Sequence, residues 1–135
     1  MPVEFVDSNV LVYAFTNDIR AATARELLSR GPLISVQGLN EFVSVARRKL
    51  GMNWNELKEA MVALRTLCPT IVDLTVAMHE DAVRISERHG YTIFDAMMVA
   101  SALYAHSETL WSEDMQDGMV IDGRLRIANP FRQGT

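Results

Sequence analysis

The stretch Val3-Glu4-Phe5-Val6-Asp7-Ser8-Asn9 decides the reading of the fold. A short β-rich run stops at three polar residues, all of them favoured at turns and helix caps. The same alternation of strand and helix patterns recurs to the far end of the chain. Leu33-Ile34-Ser35-Val36, Ile71-Val72-Asp73-Leu74 and Thr109-Leu110-Trp111 read as three further strands. Between them, Asn17-Asp18 caps a helix that runs to about Arg30 and is ended by Gly31-Pro32. A second helix, from about Leu39 to Leu50, puts Leu39, Phe42, Val43, Ala46 and Leu50 on one face. Asn53 and Glu56 form a capping-box pattern for the next helix, and Pro69 stops it. Thr75 caps another, with Arg84, Arg88 and His89 late in it and Gly90 at its end. Phe94 to Ala105 is apolar nearly all round, the mark of a buried central helix. Met119 to Ile121 and Arg124 to Ile127, joined by Asp122-Gly123, predict a terminal hairpin.

Strands alternating with helices predict an α/β fold, a mostly parallel sheet covered by helices on both faces. With 135 residues, 1–135 is expected to form one domain. A chain that is 49% hydrophobic and 22% charged can bury a core, which excludes disordered and fibrous architectures. The single cysteine, Cys68, has no partner for a disulfide and reads as a buried thiol in a reducing, cytoplasmic setting. No apolar run approaches a bilayer span, so no membrane is expected as a partner, and Met1-Pro2-Val3-Glu4 does not read as a signal peptide. The formal net charge is −4. If such a chain handles nucleic acid, a local basic surface must attract it or a metal must invert the sign at the site.

In parallel α/β sheets, ligand sites lie beyond the carboxyl ends of the strands. Asp7 follows the first strand, Glu41 sits early in the helix after the second, Asp95 lies in the first turn of the central helix, and Asp114 follows the fourth strand. Four acidic residues scattered along the chain therefore fall at one sheet edge. Each has a plainer reading: Asp7 as a helix cap, Thr92 with Asp95 as a capping box, Glu41 as a solvated charge, Asp114 as turn chemistry. Taken together the plain readings weaken, because Asp7 and Asp95 are flanked by apolar sequence. Two carboxylates 4 Å apart repel by about 4 kcal/mol at an effective dielectric of about 20. A cluster of four must take up protons or a cation, and an all-oxygen set selects Mg²⁺ or Mn²⁺. His79, His89 and His106 lack the spacing of a zinc site. Ser8, Asn9 and Ser112 could orient a carboxylate or a metal-bound water and suit cap or turn roles equally well; Arg47-Arg48-Lys49, Arg20 and Arg25 could contact phosphates, although a solvated face is the commoner role for any one of them.

Phe5-Val6-Asp7-Ser8-Asn9-Val10-Leu11-Val12-Tyr13-Ala14 resembles the opening motif of PIN-domain ribonucleases, in particular the toxins of VapBC toxin–antitoxin pairs. Asn40-Glu41-Phe42 is similar to that family's second acidic motif, Tyr91-Thr92-Ile93-Phe94-Asp95-Ala96 to its third, and Leu110-Trp111-Ser112-Glu113-Asp114 to its fourth. The resemblance implies a three-layer α/β/α sandwich that binds Mg²⁺ or Mn²⁺ and cuts single-stranded RNA internally by metal-activated water. It implies Asp7, Glu41, Asp95 and Asp114 as catalytic metal ligands, with Glu113 and Asp117 as neighbours of the fourth position. It further implies a homodimer and a cognate antitoxin partner.

Two other readings compete. Asp7 after a first strand also suits a haloacid-dehalogenase-type phosphatase, but that chemistry wants a second Asp where Asn9 stands. A non-catalytic PIN-like module that binds RNA or protein is the third, and the presence of all four acidic positions weighs against it.

Overall fold

The computed structural model describes residues 2–132; residues 1 and 133–135 of the expected domain lie outside the described residues. The chain runs β1 (Glu4–Val6), α1 (Ser8–Tyr13), α2 (Ala21–Ser29), β2 (Ile34–Ser35), α3 (Val36–Arg48) and α4 (Trp54–Leu67). It continues with β3 (Ile71–Val72), α5 (Val76–His89), α6 (Ile93–Tyr104), β4 (Thr109–Trp111), β5 (Val120–Ile121) and β6 (Leu125–Ala128). Strands β1, β4 and β6 are parallel neighbours, and β5 closes the edge antiparallel to β6. Strands β2 and β3 pair in parallel as a separate ribbon. A parallel bridge between Phe5 and Leu33 joins the ribbon to β1, through Leu33 N to Glu4 O at 2.8 Å and Val6 N to Leu33 O at 3.0 Å.

The two-residue period of a strand sends neighbouring side chains to opposite faces. Phe5, Leu110, Leu125 and Ile127 pack with α5 and α6 on one side. Val6 and Ile34 pack with α1 to α4 on the other. The result is the expected α/β/α sandwich with a mostly parallel sheet. Helix α6 supplies seven buried residues between Ala96 and Leu103, as its all-round apolar sequence predicts. Among the described residues, no helix is long and apolar enough to cross a membrane.

Several local expectations shift for identifiable reasons. The segment after Asp7 is itself a helix, because Asp7 caps it, so the next helix begins at Ala21 and Asp18 instead accepts a hydrogen bond from Arg20 N at 2.9 Å. Val36 belongs to α3 rather than to a strand, because the Ser35 hydroxyl accepts from Gly38 N at 3.0 Å and starts the helix there. The third strand is two residues long, and its partner β2 is no longer. The hairpin forms as expected: Asp122 (φ 53°) and Gly123 (φ 68°) both adopt the positive φ of a type I′ turn.

Gly38 lies buried in the first turns of α3 with ordinary backbone angles. A Cβ built on it would meet Ser35 Oγ at 3.6 Å and the Leu11 and Met98 side chains at 3.9 Å, all normal contacts. Gly38→Ala is therefore expected to stabilise the protein by about 0.5–1 kcal/mol through helix propensity. A chemical-denaturation midpoint checks it, and a fall would mean that the site is tighter than these distances indicate.

Candidate active site

Asp7 is the N-cap of α1, where β1 ends, and is only 3% exposed. Its Oδ1 accepts from Ser8 N at 2.7 Å, and its Oδ2 accepts from the Ser112 hydroxyl at 2.7 Å. The capping role and the site role therefore coincide in one side chain. Ser8 Oγ donates to Glu41 Oε1 at 2.7 Å and so ties α3 to α1. Asn9 Nδ2 donates to Asp114 Oδ2 at 3.1 Å and lies 3.4 Å from Asp7 Oδ2. Ser112 Oγ also accepts from Asp114 N at 3.1 Å, which fixes the loop after β4. Asp95 sits in the first turn of α6, with its N–H held by Thr92 Oγ1 at 3.1 Å.

Charge interactions link all four carboxylates. Burial pushes the Asp7 carboxyl up to about 7, against the Ser112 and Ser8 hydrogen bonds, and the charges of Glu41 and Asp114 push it the same way. Glu41 is raised by burial, then by Asp95 and Asp114, while its bond from Ser8 works in the opposite sense. Asp95 is raised by burial and by Asp114. No cationic side chain figures among the influences on these three carboxyls. Uncompensated anions of this kind are a site's signature rather than a stabilising device.

The fit to a metal follows from the donor chemistry. Four carboxylates supply hard oxygen ligands, and a divalent cation would offset the burial and the like charge that raise the proton affinity of Asp7, Glu41 and Asp95. Among the described residues, no three acidic, His or Cys side chains stand already drawn together as a metal-holding group. The carboxylates share one edge but are held around it by Ser8, Asn9 and Ser112.

The acidic residues near the fourth position separate cleanly. Glu113 turns away: Tyr13 donates to its Oε1 at 2.6 Å and Arg20 Nε stands 3.1 Å from its Oε2. Asp117 accepts from Asn129 N at 2.8 Å and from Arg132 at 2.7 Å. Asp114 alone joins Asn9 and Ser112. At the place where a phosphatase nucleophile would need a second Asp, Asn9 gives its amide to Asp114.

Gln37 was not anticipated from the sequence. It is buried in the first turn of α3 and donates Nε2 to Phe94 O at 2.6 Å, binding the helix that carries Glu41 to the helix that carries Asp95. The available signal was its spacing, one helical turn before Glu41 on the same face. The Tyr13–Arg20–Glu113 group left no pattern in the sequence, since its members lie up to 100 residues apart.

A family model for the PIN domain matches residues 5–116, a span that contains Asp7, Glu41, Asp95 and Asp114. The chain belongs to the PIN-domain family. No curated protein matches it. Among solved structures, this PIN domain is similar to Mycobacterium tuberculosis VapC20, described as a sarcin-ricin loop cleaving toxin. The two share 22% identity and a TM-score of 0.68 over 82% of this chain and 91% of that one. A toxin–antitoxin complex from Klebsiella pneumoniae matches at 19% identity and a TM-score of 0.73, over 95% of this chain and 98% of that one. VapBC2 from Rickettsia felis, bound to a DNA fragment from its promoter, matches at 18% identity and a TM-score of 0.67, over 94% and 98%. At these identities the likeness speaks for the fold of this PIN domain.

Proposed function

We propose that the chain is a divalent-metal-dependent endoribonuclease that cleaves single-stranded RNA, acting in the cytoplasm as the toxin of a toxin–antitoxin pair. One observation carries this reading: Asp7, Glu41, Asp95 and Asp114, from four separate segments, lie at the carboxyl edge of the sheet, where burial and neighbouring carboxylate charge raise the proton affinity of Asp7, Glu41 and Asp95. These four residues would hold Mg²⁺ or Mn²⁺. The bound ion supplies Lewis acidity toward a phosphate oxygen and a lower pKa for water. Ser112 and the Ser8 amide fix both oxygens of Asp7, Asn9 aims Asp114, and Ser8 aims Glu41. Family membership and the resemblance to VapBC toxins support RNA as substrate, an antitoxin as partner and a homodimer as the assembly.

The test is cleavage of fluorescent single-stranded RNA with Mg²⁺, Mn²⁺ or EDTA. Asp114→Asn is expected to lower the rate by about 10²-fold or more, through loss of a ligand. Glu113→Gln and Asp117→Asn are expected to leave it within about threefold, since their side-chain partners are Tyr13 and Arg20 or Asn129 and Arg132 rather than Asn9 and Ser112, and an amide oxygen can still accept from them. Equal losses in all three variants would refute the assignment of Asp114 as the fourth ligand.

A second reading draws on the carboxylates' not being drawn together as a ready metal-holding group among the described residues: a non-catalytic PIN module that binds RNA or protein. Absence of cleavage with either ion, alongside retained RNA binding, would select it.

A further inference from the structure

An acidic chain that acts on RNA needs somewhere to attract it, and most basic residues singled out in the sequence are spent internally. Arg20 pairs with Asp18 and Glu113, and Arg25 donates to the carbonyls of Ala14 and Thr16. Arg30 pairs with Glu4 and Glu26, and Arg132 with Asp117. Arg47 lies over the Trp54 ring at 4.2 Å and donates to Met52 O, while Arg48 donates to Ser44.

A different group is found between α5, α6 and the β5–β6 turn. A cavity of about 300 Å³ there is lined by Arg84, Arg88, His89, Arg124 and Tyr104. Ile85, Ala100 and Leu103 provide apolar lining. Asp81 and Asp122 also line it, so three guanidinium groups meet two carboxylates in a chain of net charge −4. Asp81 is already engaged by Arg84 and by the Tyr104 hydroxyl at 2.7 Å. That hydroxyl bond anchors the exposed Tyr104 ring at the cavity's rim. Among the described residues, Arg124 reaches only Leu103 O at 3.5 Å, and Arg88 has neither an ion pair nor a hydrogen bond.

From this combination we infer that the α5–α6 cavity is an accessory site for single-stranded RNA, with Arg88 and Arg124 on phosphates and Tyr104 stacking a base. Cations tracking a backbone beside an aromatic platform are the recurring means of holding single strands. The cavity volume and its mixed lining suit one nucleotide unit. Helix α6 joins the two sites: Asp95 lies in its first turn and Tyr104 at its end, about 14 Å along the axis at 1.5 Å per residue. The two sites lie at opposite ends of α6, and a strand that engaged both would bring to the acidic cleavage edge a polyanion recruited elsewhere. The inference rests on the RNA-directed reading above, though not on cleavage itself.

The test measures binding of labelled single-stranded RNA, about 16 nucleotides long, by fluorescence anisotropy in EDTA. Without a divalent ion the acidic edge repels RNA, so the signal reports the accessory site. Arg88→Ala/Arg124→Ala is expected to weaken binding about tenfold and to reduce the salt slope by about 1.4, the value for two single-strand phosphate contacts. Tyr104→Ala is expected to weaken it about tenfold through lost stacking. Arg88→Lys/Arg124→Lys should keep most of the affinity, and its thermal midpoint beside that of the alanine pair separates lost charge from lost fold. Unchanged affinity and salt slope in the alanine pair would overturn the proposal. So would binding of poly-glutamate, lost in the same pair, with no RNA binding; the cavity would then be a site for an acidic peptide. If the protein cleaves no RNA with Mg²⁺ or Mn²⁺ yet the alanine pair loses RNA binding, the accessory site stands and the nuclease reading falls.

Discussion

Asp7→Asn is expected to cleave RNA about 10³-fold more slowly than the wild type, or worse, and to melt at a higher temperature near pH 8. The first effect follows from charge. In the proposed nuclease Asp7 would give an anionic oxygen to the metal, which an amide cannot supply, and each 1.36 kcal/mol so lost is tenfold in rate. The second follows from burial. Asp7 is enclosed with Glu41 and Asp114 as charged neighbours and no cationic one, so at pH 8 it holds a charge that the fold disfavours. Asparagine keeps the cap, because its Oδ1 can still accept from Ser8 N. Ser112 can turn its hydroxyl to accept instead of donate, whereas Asn9 loses a weak acceptor at 3.4 Å. The net gain should be about 1–3 kcal/mol, a rise in melting temperature of about 5 °C or more. A variant that cleaves like the wild type would remove Asp7 from the chemistry. One that is inactive and also less stable would mean that the hydrogen bonds to the carboxylate outweigh the repulsion.

The second large effect is a dependence of stability on pH that divalent ions reverse. The Asp7 carboxyl takes its proton near 7 in the folded chain and near 3.8 when exposed on unfolding. Between those values the folded state holds a proton that the unfolded state lacks, so raising the pH favours unfolding. The stability attached to a protonated Asp7 is present below about pH 4 and is lost as pH rises through about 7, an effect of at most about 4 kcal/mol. Glu41 and Asp95 are shifted in the same direction and add to it. Glu4 and Asp117 are shifted downward by Arg30 and by Asn129 with Arg132, so their contributions are lost only on stronger acidification. Urea midpoints without divalent ions should therefore fall from pH 5 to pH 8. Mg²⁺ should raise stability at pH 8, by about 2.7 kcal/mol at a hundredfold excess over its dissociation constant, and should do less at pH 5, where Asp7 carries a proton. Asp7→Asn should flatten both responses. A wild-type midpoint that rises steadily from pH 5 to pH 8 in EDTA would contradict the arrangement of charges described for this edge.

Most of the architecture was legible because it depends on short-range rules. Asn53 with Glu56 forms both bonds of its capping box, Thr75 caps α5, and Gly90 ends it at φ 75°. The errors lie where a single cap outweighed a propensity. Ser35 starts a helix at Val36, which the apolar pattern placed in a strand, and Asp7 caps α1, the plainer of the two roles open to it. The length of a strand was also hidden, since β2 and β3 are limited by each other and by the Phe5–Leu33 bridge rather than by their own residues.

That four carboxylates fall at one edge was readable in the sequence by itself, because each follows a strand or lies early in a helix and parallel crossovers bring those points to the same side. It could not decide between Glu113, Asp114 and Asp117. In the folded chain Tyr13 and Arg20 stand against Glu113, Arg132 against Asp117, and Asn9 against Asp114 across 105 residues, and that contrast is the ground for proposing Asp114. Nor could the sequence show that Arg88 and Arg124 face one cavity while Arg47 is spent on a tryptophan. Backbone direction follows from local chemistry, whereas the partner of a side chain is set by whatever the rest of the chain packs beside it.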